Sequence, residues 1–313
     1  MQLLYALAEL RTPFLDALLG ALTNCGGELV FMAAAIIVFW CVSKSCGYYM
    51  LTVGFVGTIV NQFLKLVFRI PRPWVKDPDF QIVESARAEA TGYSFPSGHT
   101  QNVFASFGCL GRWTKRTWLR VVCALLIVVT AFSRMYLGVH TPLDVGVSFG
   151  IGLVLVFALY PLFRDIDSHP KRLYLLFGAM AVLSAAYLLF AELWPFPADV
   201  DAANLASGRK NAYTLLGAVL GMTFAYWLDR RYVHFDVRAV WWAQVLKTVL
   251  GLAITIGLRA TLKAPLLALC GGHNVANLIR YALMVIFAAG IWPMTFGWFG
   301  RLGRNKPAPG ASD

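Results

Sequence analysis

Long apolar runs separated by short polar breaks dominate the chain, and no stretch alternates apolar and polar residues in a two-residue rhythm. A helix needs roughly 20 apolar residues to cross a hydrocarbon core of about 30 Å. Continuous runs of that kind must satisfy their backbone within helices, because a spanning strand would alternate and require a closed barrel. The pattern predicts about nine membrane-crossing helices, over 28–43, 46–68, 97–112, 117–137, 142–162, 172–193, 211–228, 239–262 and 275–298. Residues 3–22 carry Glu9, Arg11 and Asp16 inside an apolar pattern, which predicts one amphipathic helix lying along the interface. The expected fold is therefore all-α, a polytopic membrane bundle with an N-terminal interfacial helix.

Two polar interruptions organise the bundle. Arg69 to Ser94, with mixed charge and prolines, is expected as a structured loop, and Pro195 to Lys210 divides a front half from a back half. The reading gives a front unit over 1–165 of an interfacial helix and five spans. An extension of about four spans follows over 166–300, the first completing the front unit, and a basic tail expected to be disordered closes the chain over 301–313. Lys and Arg concentrate in one set of loops: Lys44; Arg112, Lys115, Arg116 and Arg120; Arg164, Lys171 and Arg172; Arg230, Arg231 and Arg238; then Arg301, Arg304 and Lys306. The positive-inside rule makes that side and the tail cytoplasmic.

Composition agrees with a bilayer: 313 residues, 58% hydrophobic and 14% charged, with a mean hydropathy of +0.64. The net charge of +11 is accounted for by loop topology, so no nucleic-acid partner is implied. Six cysteines, without a CxxC pair or metal-ligand spacing, read as small apolar fillers. Trp194, Tyr213, Trp241, Trp242, Trp292 and Trp298 read as interfacial belts. The opening segment has no basic start, so no cleavable signal is expected.

Three short strings carry candidate chemistry: KLVFRIPRP at 65–73, PSGH at 96–99 and SRMYLGVHTPLD at 133–144. They fall at the exit of the second predicted span, the entry of the third and the junction of the fourth and fifth. All three therefore lie on one membrane face, opposite the basic loops. Position by position they resemble the signature of the type 2 phosphatidic acid phosphatase superfamily, which also includes the vanadium haloperoxidases. That pattern is Lys, six residues, Arg-Pro; Pro-Ser-Gly-His; and Ser-Arg, five residues, His, three residues, Asp. Lys65, Arg72, Pro73, Pro96, Ser97, Gly98, His99, Ser133, Arg134, His140 and Asp144 match every fixed position. The resemblance covers roughly residues 1–165 and implies an integral membrane lipid phosphatase; the haloperoxidase branch is soluble, which this chain is not.

Reading the same residues from their chemistry leads to the same place. His140 and Asp144 stand four apart across a Thr-Pro helix start, so the carboxylate is placed to hold the imidazole and leave its other nitrogen free to attack. His140 is the expected nucleophile, forming a phosphohistidine. His99 follows Gly98 at a helix start that favours an anion, with Ser97 as a hydroxyl donor, and is the expected acid and then base. The resemblance implies the same two roles. Lys65, Arg72 and Arg134 supply positive charge for the equatorial phosphoryl oxygens. No carboxylate cluster lies near the motifs, so no metal cofactor is expected.

Arg69 and Lys76 read as snorkelling anchors and His169 and His234 as polar caps. Lys247, Arg259 and Arg280 lie in apolar spans where ionisable groups are costly; Arg259 and Arg280 are candidate headgroup ligands, against a reading as ion-paired or snorkelling side chains. The implied partners are a lipid phosphate and the bilayer. Hydrolysis, phosphotransfer from phosphohistidine to an alcohol, and a non-enzymatic lipid-binding or transport role all stay open at this point, as do the particular lipid and the oligomeric state.

Overall fold

The computed structural model describes residues 1–302, and among them every regular element is helical. The single helix expected over 3–22 is two, α1 (Gln2–Glu9) and α2 (Pro13–Thr23). The break has a local cause and a tertiary one. Thr12 is extended and accepts from Leu15 N at 3.3 Å, and Pro13 occupies the first helical position, where its missing N–H costs nothing. Arg11 is drawn out of any helix by Tyr136 O, to which its Nε donates at 3.0 Å, and by Gln81 O, to which Nη1 donates at 2.7 Å.

The remaining helices are α3 (Glu28–Cys41), α4 (Lys44–Phe68), α5 (98–113, with a π turn at Phe104–Gly108), α6 (Thr117–Tyr136) and α7 (Pro142–Arg164). They continue as α8 (Lys171–Leu193), α9 (Ala202–Leu228), α10 (Trp241–Thr261), α11 (Lys263–Leu269) and α12 (Val275–Ile286). The basic tail from residue 303 lies outside the described residues.

Among the described residues six helices are long and apolar enough to cross a bilayer, or seven if α2 and α3, bent by 49°, count as one. The expected count of about nine is not reached. α3 has 14 residues, about 21 Å at 1.5 Å per residue, short of the hydrocarbon thickness, and α5 is little longer. α9 has length enough, at 27 residues, but its small and polar residues serve close packing rather than lipid contact. A Cβ on Gly217 would sit 2.1 Å from Leu278 O, and one on Gly221 2.6 Å from Ala282 O. α9 and α12 thus meet backbone to backbone, the small-residue contact that bilayer helices use where no hydrophobic force drives them together.

Two of the residues expected at the lipid interface are inside. Tyr213 and Trp292 are buried, whereas Trp194, Trp241, Trp242 and Trp298 are exposed. Lys247 is fully buried and donates to Trp40 O at 2.9 Å and Val237 O at 3.2 Å, with Phe296 beneath its ammonium; it ties α10 to the end of α3. Lys44 and Asp229 pair at 2.9 Å at the same end of the bundle. All six cysteines are free.

Candidate active site

The site is assembled at the end of the bundle opposite Lys44. Arg69 ends α4 in the left-handed region, φ 49°, and turns the chain into the loop that precedes α5. That loop has its own small core: Phe80, Ile82, Ala86 and Ala90 pack on Leu4, Leu19, Tyr136 and Leu137. Gly138, at φ 81°, makes the turn between α6 and α7; a Cβ there would meet Arg11 Nη2 at 2.8 Å and Phe80 at 2.9 Å. Both α1–α2 and the loop are thereby fixed against the turn that presents His140.

Lys65, in the last turn of α4, is buried and donates to Tyr93 O. Arg72 is held by three backbone carbonyls, Gly92 O at 3.0 Å, Val139 O at 3.0 Å and Thr91 O at 2.7 Å. Its Nη1 also lies 3.0 Å from His140 Nε2. A guanidinium only donates, so the lone pair of His140 is on Nε2 and its proton on Nδ1, which faces Asp144 Oδ2 at 3.5 Å. Burial first, and then Arg72, Arg134 and Lys65, push His140 well below the ordinary histidine range, so the ring is neutral.

Asp144 stands further from the imidazole than a hydrogen bond. Its Oδ2 accepts from Ser94 Oγ at 2.6 Å and from Thr141 N at 2.7 Å, while Thr141 Oγ1 accepts from Asp144 N at 3.3 Å. TPLD is thus a capping box, which fixes both the helix start and the carboxylate. Ser97 caps α5 through Thr100 N at 3.4 Å and also accepts from Thr100 Oγ1 at 3.0 Å; Gly98 and His99 open the helix. His99 Nε2 lies 2.8 Å from Glu89 Oε2. Arg134 is almost fully buried, and its Nη1 donates to Thr23 Oγ1 at 3.0 Å. Its Nε and Nη2 have no hydrogen-bond partner, and two parallel free donors suit two oxygens of one anion.

Lys65, Arg72, Gly98, His99 and His140 line one cavity of about 830 Å3. Arg134 borders an adjoining hollow beside α2, with Glu89 and Asn24 common to both spaces. Ser97 and Asp144 are buried behind the cavity wall. Arg259 lines the same cavity on α10. Arg280 does not; it is buried and its Nη2 donates to Asn277 Oδ1 at 2.9 Å. Among the described residues no group of three His, Cys, Asp or Glu side chains is arranged to hold a metal ion.

Sequence spacing gave no sign of Ser94, Glu89 or Thr23. Each lies on a loop or a separate helix and meets its partner only through the fold. A sequence signal that could have found the capping box is a Thr followed three residues later by Asp before an apolar run.

Residues 44–167 match the family model of the PAP2 superfamily, and residues 213–305 match that of the PAP2 superfamily phosphatase transmembrane extension. The chain belongs to the PAP2 superfamily. Among curated relatives, the undecaprenyl-diphosphatase BcrC of Bacillus subtilis is 34% identical over 108 residues, covering 34% of this chain and 52% of that protein. A probable sphingosine-1-phosphate phosphatase of Dictyostelium discoideum is 27% identical over 241 residues, 71% of this chain and 56% of that protein. Phosphatidylglycerophosphatase B of Bacillus subtilis is 25% identical over 178 residues, 52% of this chain and 80% of that protein. The chain thus spans just over half the length of the first two. No solved structure matches it. The PAP2 match contains all three motif strings, and the extension match takes in α10, α11, α12 and much of α9.

Proposed function

We propose that this integral membrane chain is a lipid phosphatase that hydrolyses a phosphomonoester or diphosphate of an amphipathic lipid through a phosphohistidine, without a metal. The observation that carries the reading is the cavity itself. At one end it has a neutral imidazole beside Lys65 and Arg72, and from there it continues between apolar helices. Such a space takes a phosphate at its polar end and the lipid tail along its wall.

The chemistry follows from the side chains. An entering phosphate draws the Arg72 Nη1–H from His140 Nε2 to a phosphoryl oxygen and so releases the lone pair. Nε2 attacks phosphorus, the bond from phosphorus to the ester oxygen breaks, and His99 gives its proton to the departing alkoxide. Lys65, Arg72 and Arg134 meet the charge on the equatorial oxygens. Asp144 stabilises the proton on Nδ1 as the ring becomes cationic. His99 then takes a proton from water, the oxygen of which attacks phosphorus, and the N–P bond breaks to return neutral His140. Glu89 holds the His99 ring through both halves.

The domain reading goes with this: 1–165 as the phosphatase core and 166–300 as the extension. The basic loops favour a cytoplasmic position for the end opposite the site, which would put the chemistry at the non-cytoplasmic face.

Purified chain in detergent, supplied with a panel of lipid phosphates and excess EDTA, is expected to release phosphate, and His140→Ala to abolish that release. Unchanged release by His140→Ala would reject the mechanism.

A further inference from the structure

The cavity does not stop at the phosphate site. Along α4 its wall runs from Lys65 to Leu51, 14 residues or about 21 Å at 1.5 Å per residue, the length of an extended hydrocarbon of roughly 16 carbons. It ends blind. Phe39, Leu51, Ala288 and Ala289 form the floor. Behind them Trp40 donates to Ala288 O at 2.8 Å and packs against Trp292. Both indoles sit on Gly251, where a Cβ would lie 2.3 Å from Trp292 Nε1 and 2.7 Å from Trp40.

Part of that wall comes from outside the catalytic half of the chain. Leu215 and Ala218 on α9, Leu252 and Ile256 on α10, and Met284 and Val285 on α12 line the same space as His140. α3 and α10 touch at the floor, where Cys41 Sγ lies 3.3 Å from Thr248 Oγ1. Nearer the site both helices border the cavity, with Leu29 and Val30 of α3 and Ile256 and Arg259 of α10 exposed on their outer sides. Arg259 stands at that exposed edge of the cavity.

Between the phosphate site and the apolar chamber lies a collar of amides. Asn61 stands one helical turn below Lys65 on the same face of α4, and Gln101 follows His99 by two residues on α5. Both line the cavity, both are more than nine-tenths buried, and neither nitrogen nor oxygen of either side chain has a hydrogen-bond partner. Four unpaired buried amide atoms are costly unless a ligand meets them. Asn61 lies about 6 Å along the helix from Lys65, the separation of a phosphorus atom from a hydroxyl or amine a few bonds beyond its ester oxygen.

We propose that the transmembrane extension completes the substrate site: it closes a chamber for a single hydrocarbon chain of about 16 carbons, below a collar of Asn61 and Gln101 that binds hydroxyl or amine groups next to the phosphate ester. The substrate class is then a single-chain lipid phosphate with polar shoulders, either a long-chain base phosphate or a monoacylglycerol phosphate. An undecaprenyl chain lacks the polar shoulders and is too long to be enclosed. This inference rests on the phosphatase reading above.

The test uses the full chain in detergent and five probes: sphinganine 1-phosphate, palmitoyl and octanoyl monoacylglycerol phosphate, hexadecyl phosphate and undecaprenyl phosphate. The first two are expected to be hydrolysed best, and the ratio between them separates the amine source from the glycerol source. Asn61→Leu with Gln101→Leu is expected to lower kcat/KM for both at least about tenfold, because a site built to pair a hydroxyl discriminates strongly against losing that bond, while hexadecyl phosphate changes less than about threefold. Ala218→Phe is expected to lower turnover of the palmitoyl probe at least about tenfold and to leave the octanoyl probe nearly unchanged, since the added ring fills only the deeper chamber. The octanoyl rate also reports that the variant has folded. Leu252→Trp repeats this from α10. Equal losses on all headgroups, or a chain-length profile indifferent to both chamber variants, would overturn the proposal while leaving the phosphatase intact. Absence of release from every probe by the parental chain would overturn both.

Discussion

Arg134→Lys isolates the phosphate grip from charge. In the parental chain Arg134 is 1% exposed, with one bond to Thr23 and two free donors, Nε and Nη2. Lysine keeps a positive charge at the site but presents a point ammonium in place of the planar fork, so it loses the paired grip on two phosphoryl oxygens. Removing one donor aimed at developing transition-state charge costs roughly 10²–10³ in kcat, about 2.7–4 kcal/mol. Arg134→Lys is therefore expected to lower kcat about 100-fold or more, measured as phosphate release from a monoacylglycerol phosphate. A second readout does not depend on turnover. Each buried unpaired donor costs about 1–3 kcal/mol, and a bound anion relieves that cost, so inorganic phosphate should raise the Tm of the parental chain. At a phosphate concentration of 100 times Kd the stabilisation is about 2.7 kcal/mol. The rise should shrink in Arg134→Lys. Activity within threefold of the parental value, or an equal rise in Tm with phosphate, would refute the assignment.

Ser94→Ala removes the 2.6 Å bond to buried Asp144; a hydrogen bond to a charged group contributes about 1.5–3 kcal/mol, so Tm should drop and kcat fall while KM changes little, and unchanged kcat would remove Ser94 from the positioning of His140. Glu89→Gln keeps an acceptor near His99 but removes the charge, and Glu89→Ala removes both, so kcat should fall in that order; equal rates in both variants would separate Glu89 from the acid–base step. Gly217→Ala places a Cβ against Leu278 O, and thermal unfolding in detergent should show a marked drop in Tm, whereas Gly178→Ala, which meets open space, should not; matching Tm values would disprove the close contact of α9 with α12. Excess EDTA should leave phosphate release unchanged, because in the proposed mechanism Lys65, Arg72 and Arg134 take the place of a metal; loss of activity restored by a divalent cation would contradict this.

Apolar run length was enough to read an all-helical membrane chain, since the bilayer leaves the backbone few choices. The motif strings were legible because fixed spacing encodes a local shape: the TPLD start of α7 carries its own capping box, and PSGH its own helix start. Three things needed the tertiary structure. The bend at Arg11–Thr12 depends on carbonyls at Gln81 and Tyr136, each 70 or more residues away. The supports of the two histidines, Ser94 and Glu89, sit in a loop without periodicity, where only folding decides which side chain meets which. The reach of the cavity into α9, α10 and α12 is a matter of how helices from both halves stand side by side. Hydropathy is blind to that, because a residue facing a lipid tail within the protein and one facing a lipid tail outside it are equally apolar.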